Sequence, residues 1–364
     1  MQTSLQSREK NNQPLRDGKI LRSAEPLNLE MPFEKLADFI TPTDLFFVRM
    51  HYAIPKIDRA KWRLRVEGEV ERAFEINYDE LTRLASKKVL AMLECAGNTR
   101  CFLEPKAPGV QWGLGAVGNV NWTGVPLSIL LDRAGVKPAA REVILEGADE
   151  GPAEDVKGPR GKVRFARSVP LAKARKDVLL AYKINDDDLP AEHGFPARAI
   201  VPGWYGVASV KWLRRVVVID RPFNGYYQTL DYAYWKQVNG NAELEALREM
   251  PVKAEIARPT EGETVPVNSN VRVHGAAWTG EGEVAKVELS VNGGATWNET
   301  KLGEARPNAW RLWEFDWRTP ATAGKRALIA RATDSHGRTQ PVERDPDRGA
   351  YMVNHLVPIN VEVR

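Results

Sequence analysis

The stretch SNVRVHGAAWTGEGEVAKVELSVNGGATW (residues 269–297) holds two runs in which apolar and polar residues alternate, joined by a Thr-Gly-Glu-Gly turn and closed by Asn-Gly-Gly. A period of two puts one face of each run in a core and the other in water, which is the pattern of half-buried strands. The same texture continues through VKAEIARP (252–259), WRLWEFDW (310–317), KRALIARATD (325–334) and PINVEVR (358–364), with Gly, Pro, Asn and Asp at the turns. Short alternating segments at this spacing predict an antiparallel β-sandwich over residues 249–364. Neither cysteine of the chain, Cys95 or Cys101, falls inside it. A disulfide-pinned antibody-type domain is therefore excluded.

Upstream of residue 249 the periodicity changes. KWRLRVEGEV (61–70) and VLAMLECA (89–96) read as strands, whereas YDELTRLASK (78–87) and PLSILLDRAG (126–135) carry apolar residues at helical spacing. Strand-like segments recur in REVILEGAD (141–149), DVLLAYKI (177–184), ARAIVPG (197–203) and SVKWLRRVVVID (209–220). The Gly- and Pro-rich loops between them are too long for a regular doubly wound sheet, so a mixed α+β domain is expected over residues 20–248. Residues 1–19 form an extension before it. The aromatic stretch FNGYYQTLDYAYWKQVNGNAELEALREM (223–250) has no sustained period and is read as the connection between domains.

The chain has 364 residues, 43% of them apolar and 27% charged, which suffices for two packed cores. Its 52 basic and 48 acidic side chains leave a net charge of only +4, so any basic surface is local. Basic runs such as VKGPRGKVRFARS (156–168) lack stacking aromatics and match no nucleic-acid-binding motif, so no nucleic-acid partner is expected. No run approaches the roughly 18 apolar residues of a membrane span, and the polar start MQTSLQSREKNNQPLRDGKI has no secretory h-region. The expectation is a cytoplasmic protein without a membrane partner.

Both thiols lie in LECAGNTRCF (93–102), and the C-x5-C spacing fits neither a zinc knuckle nor a redox C-x-x-C pair. Cys95 closes an apolar strand and precedes Ala-Gly-Asn, a turn that can present sulfur to a pocket. The five histidines, His51, His193, His274, His336 and His355, lie in no protease signature. Arg100 is close in sequence, and FFVRMH (46–51) adds Arg49 and His51. A thiolate beside arginines suits a metal that performs redox chemistry on an oxyanion. By residue types alone that is one hypothesis among several, a metal-free binding protein being another.

FFVRMH, LECAGNTR, GVQWGLGAVGNVNWTGVPL (109–127), LPAEHGFPARAIVPGWYGVASVKWLRRV (189–216) and VNGGATW (291–297), in this order, resemble the molybdenum-cofactor enzymes of the sulfite oxidase family. The resemblance runs from about residue 20 to the C-terminus. It implies a molybdopterin-binding α+β domain of sulfite oxidase type followed by an immunoglobulin-like dimerisation domain, and hence a homodimer. It also implies a molybdenum–molybdopterin cofactor and oxidation of sulfite to sulfate, with electrons passed to an external acceptor such as a cytochrome c. The alternatives are the same cofactor acting as a reductase of nitrate or an S-oxide, or oxidising another sulfur compound. The family's haem-bearing cytochrome b5 domain has no counterpart, so no haem is expected. Exported bacterial relatives make the periplasm the alternative compartment.

Carried over by motif, Cys95 corresponds to the thiolate bound to molybdenum, and Cys101 to no ligand. Arg49, Arg100 and Arg348, the last in DPDRGAY (345–351), correspond to arginines that reach the substrate, although the Trp-Asn that usually precedes the last is absent. Trp112 corresponds to a tryptophan lining the substrate pocket, and Pro108 replaces a basic residue just before it, with Lys106 nearby. Tyr232, which follows Asp231, matches the active-site tyrosine better than Tyr205, Tyr226, Tyr227 or Tyr234. His51, Asp149, His193, Arg198, Ser209 and Lys211 correspond to residues that hold the pterin and its phosphate.

Overall fold

The computed structural model describes residues 15–153 and 158–364. Residues 1–14 of the expected extension, and the start of the basic run at 156–157, lie outside the described residues. The first part of the chain is built around two five-stranded sheets. In one, the strands run in the order Lys162–Pro170, Glu142–Pro152, Leu213–Ile219, Arg63–Gly68 and Phe74–Asn77. The pairing of Leu213–Ile219 with Arg63–Gly68 is parallel and the others are antiparallel. The other sheet runs from Asp187–Asp188 through Leu179–Ile184 and Val117–Pro126 to Lys87–Glu94, and Arg198–Ile200 also pairs with Leu179–Ile184.

Helices are few and short. In Tyr78–Arg83 the side chain of Asn77 accepts from the Glu80 N–H at 2.9 Å while Glu80 accepts from the Asn77 N–H at 2.8 Å, a reciprocal cap. Leu127–Ala134 buries Leu127, Leu130, Leu131 and Ala134 against the first core and stops at Gly135, whose φ of 68° no β-carbon would favour. Among the described residues no helix is long and apolar enough to cross a membrane.

The stretch read as an irregular connection has structure of its own. It contains the helix Tyr226–Thr229 and a hairpin of Ala233–Val238 with Asn241–Ala246. Its turn is Asn239–Gly240, both at positive φ, the pairing that favours a tight hairpin turn. The alternation test failed here because neither hairpin face is fully buried: the opposed Trp235 and Leu244 are 49% and 47% exposed.

Beyond it two antiparallel-rich sheets face each other. One has the order Lys253–Arg258, Asn270–Trp278, Arg311–Arg318, Lys301–Leu302; the other, Thr264–Val265, Ile359–Val363, Gly324–Asp334, Val284–Ser290, Asn298–Glu299. Their inner faces share one core that includes Val273, Val287, Leu289, Trp313, Leu328 and Val361. This is the expected sandwich, and both cysteines are free.

Where the sandwich meets the first part, charge is buried. Glu94, the last residue of Lys87–Glu94, is 2% exposed; it accepts from the Trp278 indole N–H at 3.0 Å and from Asn98 at 3.2 Å, and lies 3.3 Å from the Lys253 ammonium. Lys253, also 2% exposed, donates to Thr99 Oγ1 at 2.9 Å and lies 3.2 Å from Glu255. Two buried carboxylates thus share one ammonium. Burial, against the attraction of Lys253, pushes the Glu255 carboxyl up to about 7.

The raised value means that Glu255 keeps its proton in the fold at pH values where the unfolded chain has lost it. Stability from this group is therefore full below the ordinary carboxylate value of 4.5 and declines as pH rises to about 7. Glu255→Gln removes that decline. The melting temperature of the variant should gain on wild type between those pH values, by several degrees if about 1–3 kcal/mol is recovered; melting curves that stay parallel across the range would contradict the buried-carboxyl assignment.

Candidate active site

Cys95 lies one residue beyond Lys87–Glu94, on the loop that turns back through Ala96, Gly97 and Asn98. The loop is held by a series of hydrogen bonds. The Cys95 N–H donates to Ala116 O at 2.8 Å, the Asn98 N–H to Cys95 O at 2.8 Å, and Asn98 Oδ1 accepts from the Ala116 N–H at 3.0 Å. Gly97 is required by close approach: a β-carbon there would overlap the guanidinium of Arg100. That guanidinium is 5% exposed and donates to Ala350 O and Val110 O, each at 2.9 Å. Arg100 thus braces the loop from beneath.

The sulfur-bearing residue opens on a partly enclosed cavity. Arg49, from the two-residue strand Val48–Arg49, and His51 line it from one side. Asp149, within Glu142–Pro152, lines it from the neighbouring sheet, and His193, at the end of the turn Ala191–His193, lies near Arg198. Ser209, Lys211 and Tyr232 complete the set. The predicted pterin and metal residues, with Arg49 and Tyr232, therefore come together from six separate segments of chain.

Three expected residues do not line this cavity. Arg100 lies behind the cysteine loop. Trp112 is fully buried in the same apolar cluster as Cys95, with its indole N–H unpartnered. Arg348, in the turn Pro346–Arg348, pairs with Asp345 at 3.2 Å and donates to Asn354 at 2.9 Å. Phe165 and Trp212, in contrast, line the cavity without having been singled out. Phe165 packs on His51 with ring centroids 4.7 Å apart. The signal for it was hidden because Lys162–Pro170 shifts register between Arg164 and Ala166, so simple alternation does not tell which side chains face the cavity.

The electrostatics are one-sided. Arg198 donates to His193 O at 3.0 Å and Ser209 O at 2.9 Å, and Lys211 to Arg49 O at 2.9 Å and Glu192 O at 3.0 Å. Neither makes an ion pair with a carboxylate among the described residues. Each rests on an aromatic face instead, Arg198 over Trp122 at 5.0 Å and Lys211 over Trp212 at 4.3 Å. Burial pushes Arg198 down to about 9, and burial together with the Arg198 charge pushes Lys211 well below the usual lysine value. Burial, with neighbouring cations, holds both His51 and His193 neutral at ordinary pH. Asp149 is pushed up to about 6 by burial, against the pull of Lys211.

Three buried cavity atoms have no hydrogen-bond partner: Asp149 Oδ1, His193 Nε2 and Arg198 Nε. Buried polar groups left in this state imply a guest that completes them. The surplus of cations makes that guest anionic, and the unpartnered Asp149 Oδ1 suits an amino or ring N–H on it. A phosphorylated pterin has both. For the metal, Cys95 offers one thiolate: burial raises its pKa while Arg49 and Arg100 pull it down. The donor set fits the cofactor that the motifs imply.

Comparison with known proteins agrees. Residues 51–227 match the family model described as the oxidoreductase molybdopterin binding domain, and residues 244–356 the Mo-co oxidoreductase dimerisation domain. The fold and site are those of a molybdopterin-dependent oxidoreductase. The chain is 36% identical over 351 residues to sulfite oxidase of Gallus gallus, spanning 90% of this chain and 74% of that one. It is 36% identical over 346 residues to the mitochondrial sulfite oxidase of Drosophila melanogaster, spanning 88% of this chain but 58% of that one. The crystal structure of the sulfane dehydrogenase SoxCD from Paracoccus pantotrophus superposes with a TM-score of 0.80 at 30% identity, covering 92% of this chain and 84% of that one. The chain belongs to the sulfite oxidase family.

An anion site of this kind is testable without cofactor. Inorganic phosphate should raise the melting temperature of cofactor-free protein, by a few degrees at saturations worth about 2–3 kcal/mol. Lys211→Met should remove most of that rise. An equal phosphate response in the variant would show that the anion binds elsewhere.

Proposed function

We propose that this chain oxidises sulfite to sulfate and passes the electrons to a separate acceptor. The observation that carries the proposal is the meeting, in one cavity, of the Cys95 thiol, the cationic Arg49 and the phenol of Tyr232. His193, Arg198, Ser209 and Lys211 would hold the pterin and its phosphate, Asp149 its amino groups, and Cys95 the metal. When bound, the molybdenum cofactor supplies the oxygen-atom transfer and two-electron chemistry that no side chain can.

The protein's own contribution is charge, orientation and proton handling. Arg49, whose Nη1 donates to Met50 O, brings positive charge to an oxyanion in the cavity, and the low-polarity surroundings of Phe46, Phe47 and Phe165 strengthen that attraction. Tyr232 OH lies 2.7 Å from His51 Nε2. Burial raises the tyrosine above its ordinary value and holds the imidazole neutral, so the phenol keeps its proton and the two groups share a hydrogen bond. The pair is thus held as two neutral groups, and the phenol is kept protonated as a hydrogen-bonding group in the cavity.

Arg100 acts from behind, holding the cysteine loop and lowering the cost of a thiolate at Cys95. Arg348 sits outside the cavity and would reach it only through rearrangement of its Asp345 and Asn354 partners. The sandwich would pair two copies, in keeping with its match to a dimerisation domain. The likeness to a sulfane dehydrogenase supports a second reading, oxidation of another sulfur compound at the same site.

Molybdenum-loaded protein should reduce ferricyanide or cytochrome c in the presence of sulfite. Turnover with a sulfane-sulfur substrate and none with sulfite would replace the first reading by the second. Cys95→Ser should lose near-stoichiometric molybdenum and with it activity, by on the order of a hundredfold or more. Full metal content in that variant would remove Cys95 from the ligand role.

A further inference from the structure

A strap of four residues from the far end of the chain, 350–353, lies across the segments that carry Cys95 and Tyr232, and each of its residues makes a contact there. Ala350 O accepts from Arg100 Nε at 2.9 Å. The Tyr351 ring stacks on the Tyr232 ring, with centroids 4.8 Å apart and planes at 29°, and lies 5.1 Å from the Arg100 guanidinium. Tyr351 OH donates to Asp231 Oδ1 at 2.7 Å. The Met352 N–H donates to Ala96 O at 2.9 Å, and Val353 O accepts from Thr99 Oγ1 at 3.0 Å. Met352 holds a φ of 53°, a conformation that a non-glycine residue adopts only when its surroundings enforce it.

We infer that Tyr351 is a positioning residue for Tyr232, through which the second domain sets where the Tyr232 hydroxyl lies in the cavity. This rests on the role given to Tyr232 above. Tyr351 grips two consecutive residues by two different parts: its ring holds the Tyr232 ring, and its hydroxyl holds the Asp231 side chain that precedes it. The remaining ring contacts of Tyr232 are edge or tilted ones, to His51 at 5.6 Å and Tyr227 at 6.3 Å. With the hydroxyl tied to His51 Nε2 at 2.7 Å, the stack with Tyr351 is the face-to-face contact, among the described residues, that sets the plane of the ring. A packing role alone would be met by any apolar side chain; the hydroxyl bound to Asp231 and the face shared with Arg100 would then have no purpose.

Comparison of wild type, Tyr351→Phe and Tyr351→Leu as molybdenum-loaded holoenzymes tests the inference, using sulfite and ferricyanide kinetics, molybdenum content, melting temperature and a crystal structure of each variant. Tyr351→Leu should lower kcat per molybdenum on the order of tenfold or more, with a smaller change in KM, because a displaced reacting group costs rate more than binding. Its Tyr232 ring should be rotated or split between rotamers. Tyr351→Phe keeps the stack and should show a smaller loss, and it decides the matter if the leucine variant does not fold: an unaltered kcat together with an unmoved Asp231–Tyr232 segment would overturn the inference. So would a leucine variant with wild-type kcat per molybdenum and an unmoved Tyr232, even with a lowered melting temperature. If wild type does not turn over sulfite, the sulfite reading falls, and the position of Tyr232 in the variant structures still decides this inference either way.

Discussion

The carboxylate of Glu94 is the point on which the two parts of this molecule turn. It ends the strand that leads to Cys95, and its oxygens are met by Trp278 and Lys253 of the sandwich and by Asn98 of the cysteine loop. A charge removed from water this completely is tolerable only with partners in place, and breaking one partner leaves a costly orphan. The sandwich therefore cannot shift against the first part without exposing or stranding charge. The same network reaches Thr99 through Lys253, so the loop carrying the thiol is held on two sides. The strap at 350–353 adds a third hold. The second domain is thus part of the scaffold of the site, whatever it also does in association.

The cavity shows the opposite condition. Arg198, buried, and Lys211, partly buried, rest on backbone carbonyls and aromatic faces, with no carboxylate ion pair among the described residues. Imidazoles held neutral, an ammonium pushed down and a carboxyl pushed up all report one cause, burial without full compensation. An anionic guest that brings its own hydrogen-bond donors and acceptors relieves each of these at once. The energy stored in unfinished electrostatics becomes affinity for such a guest.

Much of this was readable from residue order. The sandwich announced itself because half-buried strands must alternate, and SNVRVHGAAW and VAKVELSVN do. Arg49, His51, Cys95, His193, Arg198, Ser209 and Lys211 sit in motifs whose resemblance to the sulfite oxidase family implied a shared site, and they line one cavity. The hairpin of 233–246 was missed although Asn239–Gly240 marks its turn, because its strands leave both faces partly in water. Phe165 was missed because a register shift in its strand breaks the alternation. Trp112, expected at the substrate, is sealed in the core beside Cys95, and Arg348 is engaged outside the cavity.

By itself the sequence determined the two-part architecture and the sandwich, which follow from local period, and the family, which follows from motifs that resemble it in order. Only the tertiary structure decided what surrounds them. That Glu94 meets Lys253, that Arg100 threads against Gly97, and that Tyr351 lies on Tyr232 are contacts between residues far apart or turned back on one another. No local pattern encodes them, because a buried charge or ring finds its partner through the packing of whole sheets, and it is that packing which turns a set of cationic side chains into a site for an anion.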